Sequence, residues 1–185
     1  MLTPHPKRKK AGQALVEFAL SITLIFIITS AIIDLGLAFF AYQGMAGAAQ
    51  EGVSYAALFP TAGNVTNDGE IRNRVRFEGG VDTTMPNRAR FVNLLDLNNN
   101  KVDDGIEATV LQNHILISVV QNSANAVVAN AIPCDSTGTP PRRTTQYCDM
   151  VVTVRYIYRP FFSAASLLGA SQITLRATRQ MTISR

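Results

Sequence analysis

An apolar run close to the start constrains this chain more than any other feature. Residues 18–40 carry a single charged side chain, Asp34. As a helix rising ~1.5 Å per residue, this stretch reaches about 35 Å. A bilayer core of about 30 Å needs roughly 20 apolar residues. A helix that is oily on every side for this length has no face to give to water. The run therefore reads as one membrane-spanning helix over residues 18–40.

Charge ahead of the run sets its direction. Lys7, Arg8, Lys9 and Lys10 precede it, and the first twelve residues contain no acid. Basic residues stay on the cytoplasmic side, so the N-terminus is expected inside and the rest outside the inner membrane. The formal net charge of +4 is this block alone, because removing four of the 17 basic residues leaves 13 against 13 acids. The basic balance thus marks a short segment rather than a nucleic-acid face, and no nucleic acid is expected as a partner. An ordinary cleaved signal fits poorly. Its apolar core would run only ~7–15 residues and end in small residues.

Glu17 and Asp34 flank or interrupt the span, about 25 Å apart along a helix. A carboxylate at mid-membrane costs about 2.5–3.5 kcal/mol on insertion scales. Each acid therefore marks a membrane boundary or meets a partner within an assembly.

Gly12-Gln13-Ala14-Leu15-Val16-Glu17-Phe18 follows the basic block and opens the helix. This resembles the class III signal of type IV pilin-like proteins. The resemblance implies that a prepilin peptidase cuts between Gly12 and Gln13 on the cytoplasmic side, removing a leader of residues 1–12. Glu17 would become the fifth residue of the mature chain and Phe18 the sixth. The new amine at Gln13 would be positive. Glu17, one turn on, can pair with it or with the amine of a neighbouring subunit, which lowers the cost of burying both charges.

The resemblance narrows over residues 12–58. Glu17-Phe18-Ala19-Leu20, Ile32-Ile33-Asp34-Leu35-Gly36, Ala38-Phe39-Phe40-Ala41-Tyr42-Gln43 and Ala48-Ala49-Gln50-Glu51-Gly52-Val53-Ser54-Tyr55-Ala56-Ala57 are together similar to the TadE-like family. Leu37 and Gln50 stand where that family often has arginine. The resemblance implies a pseudopilin or minor pilin of the tight-adherence, type IVc pilus, acting in pilus assembly and surface attachment. Its implied partners are prepilin peptidase, other pilin or pseudopilin subunits, the pilus assembly platform and membrane lipid. The alternative is a single-pass anchor carrying an outer binding or sensing domain unrelated to pili.

Beyond the span no proline appears until Pro60. A continuous helix is expected over residues 14–59, about 70 Å long. Gly44, Ala48, Gly52 and Ala56 recur every fourth residue and form a smooth face. Small residues at this spacing let another backbone approach closely. That face packs on the chain's own outer domain or on another subunit.

The outer domain is expected over residues 60–185. Residues 60–69 read as a loop rich in turn formers. It includes Asn64-Val65-Thr66, an N-glycosylation pattern. Thr66 or Asp68 can cap a short helix over residues 70–77. Strand signals cover residues 113–120, 150–158 and 172–182, with a weaker one over 91–97. Residues 160–170 read as a short apolar helix or loop. The expected fold is α+β and type IV pilin-like: a long transmembrane-plus-stalk helix with a small antiparallel sheet packed on its outer half.

Cys134 and Cys148 are the two cysteines, and outside the cytoplasm they are expected to form a disulfide. The enclosed Arg142-Arg143 reads as a solvated loop face. Asp96, Asn98, Asn100 and Glu107 occupy the first, third, fifth and twelfth places of a calcium-loop pattern, with Lys101 at the usual glycine. The competing reading is a polar turn between strands. With two histidines, His5 and His114, and no nucleophile–base pair, phosphate loop or zinc spacing, the chain reads as a non-enzyme.

Overall fold

The computed structural model describes residues 9–59, 67–77, 92–121, 134, 148–162, 169 and 171–183. The Asn64-Val65-Thr66 pattern and the Arg142-Arg143 pair lie outside them.

Helix α1 runs Lys9–Leu58. It begins ahead of the expected residue 14 and ends where the Phe59 N–H still reaches the Tyr55 carbonyl at 2.9 Å. Its first half satisfies its own hydroxyls. Ser21 donates to the Glu17 carbonyl, Thr23 to Ala19, Thr29 to Ile25 and Ser30 to Ile27, at 2.8–2.9 Å. Such back-bonding lets serine and threonine sit in an apolar helix without an orphaned O–H.

Helix α2 spans Asp68–Phe77. Its cap differs from both expected residues: the Asn67 Oδ1 accepts the Glu70 N–H at 3.2 Å. An asparagine just outside the first turn satisfies a donor that the helix cannot. Arg72 and Asp68, and Arg74 and Glu70, pair one turn apart at 3.6 and 3.5 Å.

A short helix α3, Ala108–His114, was not foreseen and takes Asn113 and His114 from the expected first strand. Strands β1, Ile115–Gln121, β2, Cys148–Tyr158, and β3, Ile173–Thr182, form an antiparallel sheet in the order β1-β2-β3. Register places Ile115, Val154 and Ala177 in one row and Ile117, Val152 and Arg179 in the next. The inward residues Ile115, Ile117, Val119, Met150, Val152 and Val154 are buried with Met45, Ala49 and Val53 of α1. This is the α+β arrangement of a sheet laid on one helix, with one sheet face in the core. On the other face Thr153 and Thr178 share a hydroxyl hydrogen bond of 2.9 Å.

The weaker strand over 91–97 is corrected. Residues 92–97 are bends and turns. Val92, Leu94 and Leu97 are buried, but Asn93 Oδ1 accepts the Leu95 N–H at 3.1 Å and closes a local turn. A side chain that serves its own backbone competes with the sheet ladder.

Candidate membrane anchor and assembly site

Helix α1 is two helices in chemical character. Over residues 12–29 every side chain is exposed. Leu15, Phe18, Leu20, Leu24 and Phe26 are each more than half exposed. From Ala41 onward the helix is largely buried against the sheet and α2. The stretch Gly12–Leu58 is the candidate membrane span, by length and apolar composition. Its uncovered half is the part suited to lipid or to like helices, because oily side chains there have no cover from the outer domain.

The predicted N-terminal residues lie in this uncovered half. Gly12, Gln13, Glu17 and Phe18 are all exposed. A side chain built on Gly12 would meet nothing within 4 Å. Among the described residues, the Glu17 carboxylate takes part in no hydrogen bond or ion pair; only its backbone carbonyl accepts, from Ser21.

Asp34 is different. It is 8% exposed and its carboxylate is capped by the chain leaving β2. Oδ1 accepts the Phe161 N–H at 2.8 Å, and Oδ2 accepts the Phe162 N–H at 3.1 Å. The Tyr158 hydroxyl donates to the Asp34 carbonyl at 3.2 Å. Phe162 closes an apolar pocket of about 190 Å³ together with Ile22, Ile25, Phe26, Thr29, Ser30 and Ile33. Asp34 thus has an internal partner, the backbone of the β2 exit. The sequence held a weak hint of this: Pro160 has no N–H, and Phe161 and Phe162 follow it with two free ones.

The small-residue face is directed at the chain's own domain. A side chain on Gly44 would come within 2.8 Å of Val92, and one on Gly52 within 2.5 Å of Val75 and 3.6 Å of Val152. Ala48 and Ala56 are buried in the same core. Of the two readings of this stripe, packing within the subunit is the one the structure displays. Arg74 of α2 also stacks over Tyr55 of α1 at 4.8 Å.

Cys134 and Cys148 are bonded, with Cα atoms 5.9 Å apart. Cys148 opens β2 and is fully buried, so the bridge ties Cys134 to the central strand.

The candidate calcium residues lie in the loop between Val92 and α3. Asp96 accepts the N–H groups of Asn100 at 2.9 Å and Lys101 at 2.8 Å, and Asn98 accepts Asn100 at 3.0 Å. The Glu107 carboxylate accepts the side-chain amides of Asn98 and Asn100 at 3.4 and 3.1 Å. Asp104, absent from the sequence-based set, is fully buried. Burial, above all, pushes its carboxyl above the ordinary value of 3.8, against the lowering effect of the Leu97 N–H and of His114, while Asp96 and Glu107 add to the rise. Among the described residues no three His, Cys, Asp or Glu side chains gather closely enough to hold a metal by themselves.

No curated protein and no solved structure matches the chain. A family model described as TadE-like protein matches residues 12–54. That stretch contains Gly12, Glu17, Asp34 and most of the small-residue stripe. Residues 12–54 thus match the TadE-like family, which supports, at a coarse level, a minor-pilin-like protein associated with tight-adherence pili.

Proposed function

We propose that this chain is a membrane-inserted pseudopilin or minor pilin, trimmed by prepilin peptidase after Gly12, that takes part in building a type IVc pilus for surface attachment. The observation that carries the reading is the division of α1. One half is packed under its own domain, and the other presents uncovered apolar side chains with Glu17, which has no partner among the described residues, in their midst. An acid in that setting is costly unless a positive partner arrives. The amine freed at Gln13 supplies one, from the same chain or from a neighbour. In this reading the leader stays cytoplasmic, the sheet domain lies outside, and the uncovered half exchanges lipid for like helices on entering the filament. The partners are the peptidase, other pilin or pseudopilin subunits and the assembly platform, and the chain performs no catalysis.

N-terminal sequencing of the membrane-extracted protein tests this. Gln13 is expected as the first residue, and Gly12→Ala should leave the longer precursor. An intact Met1 in cells that contain the peptidase would overturn the reading. A plain membrane anchor would then remain.

A further inference from the structure

We propose that the loop from Asp96 to Glu107 is a calcium site, with Asp104 as a ligand beyond those that the sequence pattern nominated. The argument starts from a buried oxygen. Asp104 is 0% exposed. Its Oδ2 accepts the Leu97 N–H at 2.5 Å inside the loop, but its Oδ1 is buried without a hydrogen-bond partner. A buried acceptor with no partner is rare in folded proteins and costs stability. Asp96 and Glu107 add two further carboxylates to the same loop, each accepting N–H groups of the loop's own residues. A small hard cation answers both problems at once, by coordinating the orphaned oxygen and by neutralising the three acids.

The chain supplies the remaining donors in the order such an ion requires. Calcium takes 6–8 oxygens, and a twelve-residue loop offers them from places one, three, five, seven, nine and twelve. Here those places are Asp96, Asn98, Asn100, the Val102 carbonyl, Asp104 and Glu107. Place six ordinarily holds glycine for a sharp turn. Lys101 stands there and nonetheless adopts the left-handed backbone, with φ 74°. Each carboxylate or amide oxygen that receives a loop N–H keeps a second lone pair for a metal. Because the acids alone do not gather into a metal cluster, the two asparagines and the carbonyl are essential to the set. Asp103 is directed elsewhere, to an ion pair with Arg76 of α2. The proposal stands apart from the pilus reading, since it uses only the outer domain.

The test uses the full chain in detergent micelles, stripped with chelator. Calcium chloride or magnesium chloride is titrated in by calorimetry, and thermal unfolding is followed in parallel. Calcium should bind with Kd on the order of 10⁻⁴–10⁻³ M, the range of extracellular modules, and raise the unfolding midpoint. Magnesium should do neither, because it demands a tighter octahedral cage. Glu107→Gln and Asp104→Asn should each weaken calcium binding by about tenfold or more while unfolding cooperatively in chelator, which shows that they fold. No calcium heat and no midpoint shift at several millimolar would overturn the proposal. So would binding that both variants retain unchanged.

Discussion

The Asp34 carboxylate accepts the backbone N–H of Phe161 at 2.8 Å, across 127 residues of sequence. The contact joins α1, the candidate membrane span, to the chain leaving β2, the central strand of the sheet. It seats the end of β2 against α1 between the fully exposed residues 12–29 and the largely buried stretch from Ala41 onward. An acid that looks like a breach in an oily span is thereby a clamp with its own donors.

Removing the clamp should loosen the domain on its stalk. Asp34→Ala leaves the N–H groups of Phe161 and Phe162 without their acceptor. Hydrogen bonds to a charged group are worth about 1.5–3 kcal/mol each, so a loss of that order is expected in denaturant unfolding of the detergent-solubilised chain. Asp34→Asn keeps one acceptor oxygen and should lose about half as much. A wild-type unfolding curve for the alanine variant would show that the β2 exit is held by packing alone.

Glycines 36 and 52 should respond in opposite directions. Gly52 faces Val75 so closely that Gly52→Ala forces a shift, and overpacking costs about 1–3 kcal/mol. Gly36 has open space at the same position, so Gly36→Ala should be neutral or stabilising by up to about 1 kcal/mol through helix propensity. Thermal midpoints of the two variants, measured side by side, check the pair.

The disulfide closes a loop between Cys134 and Cys148 with a sequence separation of 14. Opening it should lower stability by up to ~3 kcal/mol through regained loop entropy. Unfolding with and without a reductant gives the difference. The double variant Cys134→Ser with Cys148→Ser should resemble the reduced protein and ignore the reductant.

Alkaline pH should unfasten the same region as loss of Asp34. Burial pushes the Tyr158 phenol above its usual value of 10.0, and the nearby Asp34 and Tyr156 push the same way. Tyr156 is raised too, mainly by burial. A raised folded value means that the unfolded chain gives up these protons first. The stabilisation is complete below about pH 10 and falls as pH rises through the folded values. Tyr158→Phe should therefore flatten the decline of the unfolding midpoint above about pH 10. An unchanged slope would mean that Tyr158 ionises equally in both states.

Several elements were legible because their cause is local. The alternation of Ile173, Leu175 and Ala177 against Thr174, Arg176 and Thr178 announces a half-buried strand, and β3 forms there with its even-numbered side exposed, although Ile173 at the strand's start is exposed as well. The β-branched run at Ile115 and the valines from Val151 to Val154 likewise mark β1 and β2. Residues 92–97 misled for the opposite reason. Val92 and Leu94 alternate as in a strand, but Asn93 turns the backbone back on itself. Helix α3 is not legible in the sequence because its seven residues, Ala108–His114, are too few for an apolar period to declare itself.

By itself the sequence determined that one long apolar helix, a candidate membrane span, opens the chain, that its first residues resemble a class III leader, and that a small sheet follows. Those properties depend on composition, on period and on neighbours within a few residues. Only the tertiary structure decided that Asp34 is answered by Phe161 and Phe162, that the Gly44 to Ala56 stripe is covered by the chain's own domain, and that Asp104 is buried with an oxygen to spare. Each of these joins elements with no shared pattern, because burial and hydrogen bonding depend on what the fold brings within a few ångströms.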